Sequence, residues 1–127
     1  MICIAHHDIY AHPLPEGHRF PMLKYEILPE QLVREGTCTR EQFFAPNRIA
    51  DAHILRTHCP EYYAQLNTLS LSKKDIRRIG FPLSATLIER ECVIAQGTLL
   101  GCEYALKNGI AFNIAGGTHH AFYNRGE

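Results

Sequence analysis

The chain has 127 residues, with 13 Lys or Arg and 13 Asp or Glu, so its formal net charge is zero. This length suits one domain, and the balanced charge argues against direct nucleic-acid binding. Five cysteines leave an odd one, so we expect no disulfide framework and a reducing, cytoplasmic location. No apolar run approaches the roughly 20 residues of a membrane span, so we expect no membrane association.

The N-terminal third combines one predicted strand with a loop and helical turns. Ile2 to Ala5 predicts a short buried strand, and a proline-rich loop follows it up to Pro21. Apolar residues from Met22 onward predict one or two helical turns that Pro29 interrupts. Because proline suits the first turn of a helix, Pro29 also predicts the start of a second helix, which Gly36 can end.

The middle of the chain predicts a second strand and two helices. Residues 37–47 have no clear pattern, although we expect the phenylalanines at 43 and 44 to be buried. Residues 50–58 predict the second strand. Pro60 places the start of a helix, and Ser72 to Asp75 resembles a capping box, so residues 73–79 predict a short helix that Gly80 closes.

The strongest periodic pattern lies between residues 86 and 108. Six apolar residues step by four and three, which is typical of one helix face: Ile88, Cys92, Ala95, Leu99, Cys102 and Leu106. Thr86 and Glu89 have capping-box spacing at its start, and Gly109 can end it. Gly97 and Gly101 lie on another face, where each costs about 1 kcal/mol relative to alanine. We therefore expect another element to pack closely against these glycines.

Residues 110–115 predict the last strand. The order strand, helices, strand, helices, strand predicts an α/β fold with a parallel sheet between helical layers. Three strands are few for a parallel sheet, and the last would be an exposed edge that invites pairing with another chain. The sequence therefore predicts one incomplete domain over residues 1–127, and we expect it to self-associate.

Two adjacent histidines, His119 and His120, follow the last strand and the pair Gly116-Gly117. Ligands of such sheets bind beyond the carboxyl ends of the strands. The glycines permit the backbone to leave the strand, so that both rings can face one site. Two imidazoles near one reacting centre can divide acid–base work. Such a pair usually needs carboxylates to orient the rings, and no nearby Asp or Glu has an evident claim to that role. The alternative is a surface or loop dipeptide without function.

The other histidines carry weaker signals. His6-His7-Asp8 has the composition of a metal site, but adjacent ligands at a strand end chelate poorly, so we expect a structural role. An unrelated hydrolase that combines this cluster with His119 and His120 in a metal site stays an alternative. His53 and His58 are expected to hydrogen-bond locally.

Three stretches resemble the histone deacetylase superfamily. Residues 113–122, followed by Arg125-Gly126-Glu127, resemble its histidine-pair motif. Residues 10–22 resemble the first active-site loop of bacterial and class IV members, and Gln96-Gly97-Thr98 resembles the helix before the motif. The resemblance covers essentially the whole chain.

This resemblance implies the arginase/deacetylase fold and a zinc-dependent amidohydrolase. The substrate would be an acetylated lysine or a small acylated amine. His120 would be the general base and then the general acid, and His119 would assist electrostatically and by orientation. His18, Arg19 and Phe20 would lie beside the substrate channel.

The family's remaining site residues are absent from this sequence. In the family order, the zinc ligands, the carboxylates that orient the histidines and a carbonyl-binding tyrosine all follow the histidine pair. The resemblance therefore implies the N-terminal portion of a deacetylase, inactive by itself, whose zinc is held elsewhere in the parent enzyme. A non-catalytic, deacetylase-like assembly module is the alternative. Near Phe81, class I members carry an acidic substrate-binding residue, so their substrate preference does not transfer.

Overall fold

The computed structural model describes residues 1–127 and contains three strands and five α-helices. The strands are β1 (Cys3–Ala5), β2 (Phe43–Phe44) and β3 (Ala111–Asn113). The helices are α1 (Lys24–Arg34), α2 (Asp51–Ile54), α3 (Pro60–Asn67), α4 (Lys73–Ile79) and α5 (Ala85–Asn108). Two short 3-10 helices, Asp8–Tyr10 and Arg40–Gln42, complete the regular structure.

The three strands form one parallel sheet in the order β2-β1-β3. In the central strand, Ile4 pairs with Phe43 on one side and with Phe112 on the other. The predicted first and third strands are confirmed. The predicted α/β architecture is also confirmed, and it is consistent with part of the arginase/deacetylase fold.

The second predicted strand, at residues 50–58, is wrong. Residues 51–54 form α2, and β2 lies instead within the segment 37–47, which has no clear sequence pattern. A short apolar run fits a helix and a strand equally well, and here pairing with β1 selects Phe43 and Phe44. Both phenylalanines are half-buried rather than buried.

Helix α1 runs continuously through Pro29, whereas the sequence predicts two segments. Proline has no N–H, so the Tyr25 carbonyl, four residues earlier, loses its helical donor. The Nε2 atom of His6 donates to that carbonyl at 3.3 Å. The bond from His6 thus satisfies the backbone group that Pro29 leaves without a partner.

Helices cover both faces of the sheet. Ala5 faces α5, where an ideal Cβ on Gly97 would lie 3.2 Å from the Ala5 Cβ. His6 points the opposite way, because neighbouring strand residues alternate, and it contacts α1. The predicted close packing is therefore confirmed at Gly97. It is wrong at Gly101, where an ideal Cβ would meet no atom within 4 Å.

The predicted apolar stripe of α5 is buried only along the first half of the helix. Ile88 and Cys92 lie in a small core with Ile49. Cys102, on the same predicted stripe as the buried Cys92, is exposed, and Leu106 is 88% exposed. The second half of α5 stays uncovered on this face because α5 has 24 residues, whereas α3, which packs against it, has 8.

The helix ends follow simple capping rules. The bounds predicted for α4 are confirmed, with Ser72 accepting from the Asp75 N–H and Gly80 in the left-handed region at φ +77°. Helix α5 begins earlier than predicted, because Ser84 accepts from the Leu87 N–H at 3.1 Å and replaces Thr86 as the cap.

The outer strands β2 and β3 each pair on one side only, and β3 presents an exposed edge. Strand β3 pairs only with β1, and its Phe112 is 50% exposed. The neighbouring Ile110 is also exposed. The predicted exposed edge is therefore present.

All five cysteines are free thiols. No helix combines the length and apolar character needed to cross a membrane. Because no disulfide is formed, the main chain alone forms the covalent framework of the fold.

Candidate functional site

A cavity of about 390 Å³ opens beside the C-terminal segment. His119 and His120 both line it, and apolar side chains of α3 and α5, among them Leu66 and Ile88, form much of the remaining wall. The structure therefore brings the two predicted catalytic histidines to one cavity. Such a concave, largely apolar site with a few polar groups is typical of small-molecule binding.

The backbone before the histidine pair reaches this cavity without special geometry. Neither Gly116 nor Gly117 has a positive φ, and an ideal Cβ on either would meet no atom within 4 Å. The expected use of glycine's conformational freedom is therefore not found at these two positions.

The ring of His119 has two defined neighbours. Its Nδ1 atom lies 2.7 Å from the hydroxyl of Thr118. Its ring centroid lies 5.0 Å from that of Phe81, with the rings nearly perpendicular. This edge contact and the hydroxyl fix the ring orientation without a carboxylate.

His120 presents an exposed ring that makes no hydrogen bond, while its backbone is paired. Its N–H donates to the Glu127 carbonyl, and the Glu127 N–H donates back to the His120 carbonyl. No carboxylate forms an ion pair with His119 or His120. Both ring nitrogens of His120 are therefore available to a substrate or to a further protein group.

Phe81 joins the predicted channel loop to the histidine pair. Its side chain is only 5% exposed, and its ring lies 5.4 Å from His18 and 5.2 Å from Phe20. It also contacts His119 and lines the cavity. Two of the three predicted channel residues thus approach the site through Phe81, while Arg19 is exposed and makes no hydrogen bond or ion pair.

The ring of His18 holds the loop in place through both nitrogens. Its Nε2 donates to the Gly80 carbonyl at 2.9 Å, and its Nδ1 accepts from the Phe20 N–H at 3.2 Å. A carbonyl only accepts, so the hydrogen resides on Nε2. This geometry anchors the loop to the segment between α4 and α5.

Arg90, a fully buried cation, is not among the residues that the sequence predicts to be functional. Its Nε donates to the Tyr10 carbonyl at 2.8 Å, and its guanidinium lies over the Tyr25 ring. It shares a helix face with Ile94 and Gly97 at steps of four and three, so the glycine marks the face on which Arg90 is buried. That spacing is the signal that could have identified it.

Burial also shapes the titration of two neighbours of Arg90. Burial raises the pKa of Tyr10 to about 12, despite opposing effects of the nearby Asn113 side chain and then of the Arg90 charge. Burial, and then the Arg90 charge, lower the pKa of His12 below its usual value. Both side chains are therefore held in their neutral forms near the carboxyl end of β1.

The cluster at residues 6–8 serves the backbone. His7 accepts from the Ile9 N–H at 3.0 Å and caps the first 3-10 helix, which agrees with the predicted structural role. His6 and His7 do not line the cavity with the histidine pair. No group of three or more His, Cys, Asp or Glu side chains is placed to hold a metal ion. The residues present therefore do not fit a zinc site.

Comparison with known proteins identifies one family. The family model described as Histone deacetylase domain matches residues 18–127. An uncharacterized protein of Picosynechococcus sp. (strain PCC 7002) is 40% identical over 119 residues, which is 94% of this chain and 40% of the relative. The chain thus spans about two-fifths of the length of that curated relative.

Proposed function

The chain belongs to the histone deacetylase domain family, and on this basis we propose that it is the N-terminal part of a zinc-dependent deacetylase that removes acetyl or other acyl groups from lysine or small amines. One observation carries the proposal. His119 and His120 line the same cavity, and neither ring is bonded to the backbone. The matched stretch includes both residues.

His120 acts as the acid–base group in this proposal. A free ring nitrogen accepts a proton from the attacking water and later returns it to the departing amine. His119 stays oriented by Thr118 and Phe81 and supports the charge that develops beside it. An imidazole pair suits this division of work because its ordinary pKa lies near neutrality.

The aromatic residues near the pair provide the apolar side of the substrate channel. Phe20 lies in edge contact with Phe81, and Phe81 in turn contacts His119. Such surfaces suit the aliphatic part of an acylated lysine or amine. Arg19, exposed on the same loop, would lie at the channel mouth, where it meets the polar part of the substrate.

In this proposal, zinc is bound by other parts of the parent protein. No group of three or more His, Cys, Asp or Glu side chains in residues 1–127 is placed to hold a metal ion, so the proposal takes the ligands from outside these residues. The carboxylates that would orient the histidines must be supplied in the same way. We therefore expect the 127-residue chain alone to be inactive.

The test measures the release of acetate by a full-length protein that contains these residues. The protein is incubated with an acetyl-lysine peptide and with an acetylated diamine, and free acetate is measured. We expect release from at least one substrate and none from the 127-residue chain under the same conditions. Absence of release from every acylated amine by the full-length protein, or turnover by the chain alone, would contradict the proposal.

The open sheet edge favours a second candidate, a non-catalytic assembly module that self-associates. Strand β3 has one unpaired edge, and the half-exposed Phe112 lies on it. Edges of this kind pair with other strands, and covering Phe112 is favourable at about 25 cal/mol per Å². Light scattering on the 127-residue chain tests it: a monomer at all concentrations removes it, whereas a dimer or larger species fits both candidates.

A further inference from the structure

The position of His120 depends on a hairpin formed by residues 120–127. The His120 N–H donates to the Glu127 carbonyl at 2.6 Å, and the return bond from the Glu127 N–H measures 3.0 Å. The Phe122 N–H donates to the Arg125 carbonyl at 2.9 Å and closes the turn. The backbone position of His120 therefore depends on how firmly this hairpin is held.

The segment before α3 attaches the hairpin to the rest of the chain. The Nδ1 atom of His58 lies 2.8 Å from the Phe122 carbonyl, and the Cys59 N–H donates to the Tyr123 carbonyl, also at 2.8 Å. Because a carbonyl only accepts, Nδ1 of His58 carries the hydrogen. The expectation that His58 bonds locally is wrong, since its partner lies 64 residues away.

His58 is itself held against α3. Its ring centroid lies 5.6 Å from that of Tyr62 on the first turn of the helix. An ideal Cβ on Gly126 would lie 3.3 Å from the Tyr62 hydroxyl, so the returning arm of the hairpin also approaches α3 closely. Of the two hydrogen bonds that attach the hairpin here, only that from His58 comes from a side chain.

We propose that His58 is a positioning residue for His120. By donating to the Phe122 carbonyl, it fixes the hairpin on α3 and thereby the place of the His120 ring at the cavity. Its consequence for catalysis rests on the proposed deacetylase function. His58 acts through the backbone and is not itself a catalytic residue.

The first arm of the test measures amide hydrogen exchange in the 127-residue chain by NMR. His58→Phe keeps a ring at this position and removes the donor, whereas His58→Asn keeps an N–H donor near the place of Nδ1. We expect the amides of His120, Phe122 and Glu127 to exchange at least tenfold faster in His58→Phe and near the wild-type rate in His58→Asn. Amides of α5 should not change.

His53 provides the matched control. It lines the same cavity, is exposed and makes no side-chain hydrogen bond, so His53→Ala should leave hairpin exchange unchanged. Hairpin exchange within twofold of wild type in His58→Phe would overturn the proposal. Equal acceleration by His53→Ala would overturn it as well.

The second arm measures deacetylation by the full-length protein. We expect His58→Phe to lower kcat at least tenfold with KM within twofold of wild type, and His58→Asn to restore most of kcat. Unchanged kcat in His58→Phe would overturn the positioning role while leaving the function intact. If the full-length wild type and every variant are inactive, the proposed function is wrong. The hydrogen-exchange measurement would still decide whether His58 positions the hairpin.

Discussion

The loops after β1 and β3 use histidine in opposite ways. After β1, the rings of His6, His7 and His18 each bond a backbone group, and His18 does so through both nitrogens. After β3, His119 bonds only a neighbouring hydroxyl, and the ring of His120 makes no hydrogen bond. A ring saturated by the backbone holds a loop in place, whereas a free ring can accept and release a proton. The comparison therefore separates His6, His7 and His18, which hold loops, from His119 and His120, to which we assign a chemical role. His12, whose buried Nδ1 has no hydrogen-bond partner, belongs to neither group.

The test with the largest expected effect on stability truncates one histidine of each kind. His18→Ala removes two hydrogen bonds to the backbone and a contact with Phe81, so we expect the free energy of unfolding to fall by about 2 kcal/mol. His120→Ala removes an exposed ring, so we expect a change within about 0.5 kcal/mol. Urea unfolding of both variants measures the difference, and equal losses would refute the distinction.

A second test concerns the contact of α5 with Tyr10, which follows β1, and with Asn113, the last residue of β3. In Gly97→Ala, the new Cβ would lie 2.6 Å from the Tyr10 hydroxyl and 2.9 Å from the Asn113 amide nitrogen. Tyr10 is fully buried and cannot move aside, so we expect a net loss of about 1–2 kcal/mol after the helix gain.

Gly101→Ala is the matched control on the same helix. Its Cβ would meet no atom within 4 Å, so we expect stabilisation by up to about 1 kcal/mol. Thermal unfolding compares the two variants. Stabilisation by both substitutions would show that Gly97 is not a close contact.

The smallest expected effect is at alkaline pH. Tyr10 ionises near 10 when unfolded and has a folded pKa of about 12, so above pH 10 the unfolded state holds fewer protons and stability falls as pH rises. Its hydroxyl has no hydrogen-bond partner, because the Asn113 amide donates to the Ile94 carbonyl and to Thr98. Tyr10→Phe should therefore cost little at pH 8.

Between pH 8 and pH 11, the free energy of unfolding should fall by about 1 kcal/mol less in Tyr10→Phe than in the wild type. Burial also raises the pKa values of Tyr62 and Tyr63, so the informative quantity is the difference between the two proteins. Denaturant unfolding at pH 8 and pH 11 measures it. Parallel losses in both proteins would contradict a buried, neutral Tyr10.

Local signals predict much of this fold. The caps at Ser72 and Gly80 set the bounds of α4, and Gly109 ends α5, because each depends on residues within one helical turn. Strand β2 depends instead on pairing with β1, so its two phenylalanines carry no local pattern that separates them from a helix. The continuity of α1 depends on His6, which lies 19 residues before the carbonyl that it satisfies.

The candidate site divides in the same way. The motif around His119 and His120 is contiguous, so the sequence identifies it directly. The contacts of Phe81 and His58 with that segment join residues distant in sequence, and no spacing rule reveals them. The residues with a proposed chemical role can be read from a motif, whereas those with a proposed positioning role depend on the folded arrangement.

The most direct test of the central claim is the deacetylation rate of a full-length protein that carries His120→Ala. If His120 is the acid–base group, kcat for an acetyl-lysine peptide should fall by about 10²–10⁴-fold. The unfolding midpoint should stay near that of the wild type, since the ring is exposed. A variant that keeps kcat within twofold of wild type would contradict an acid–base role for His120.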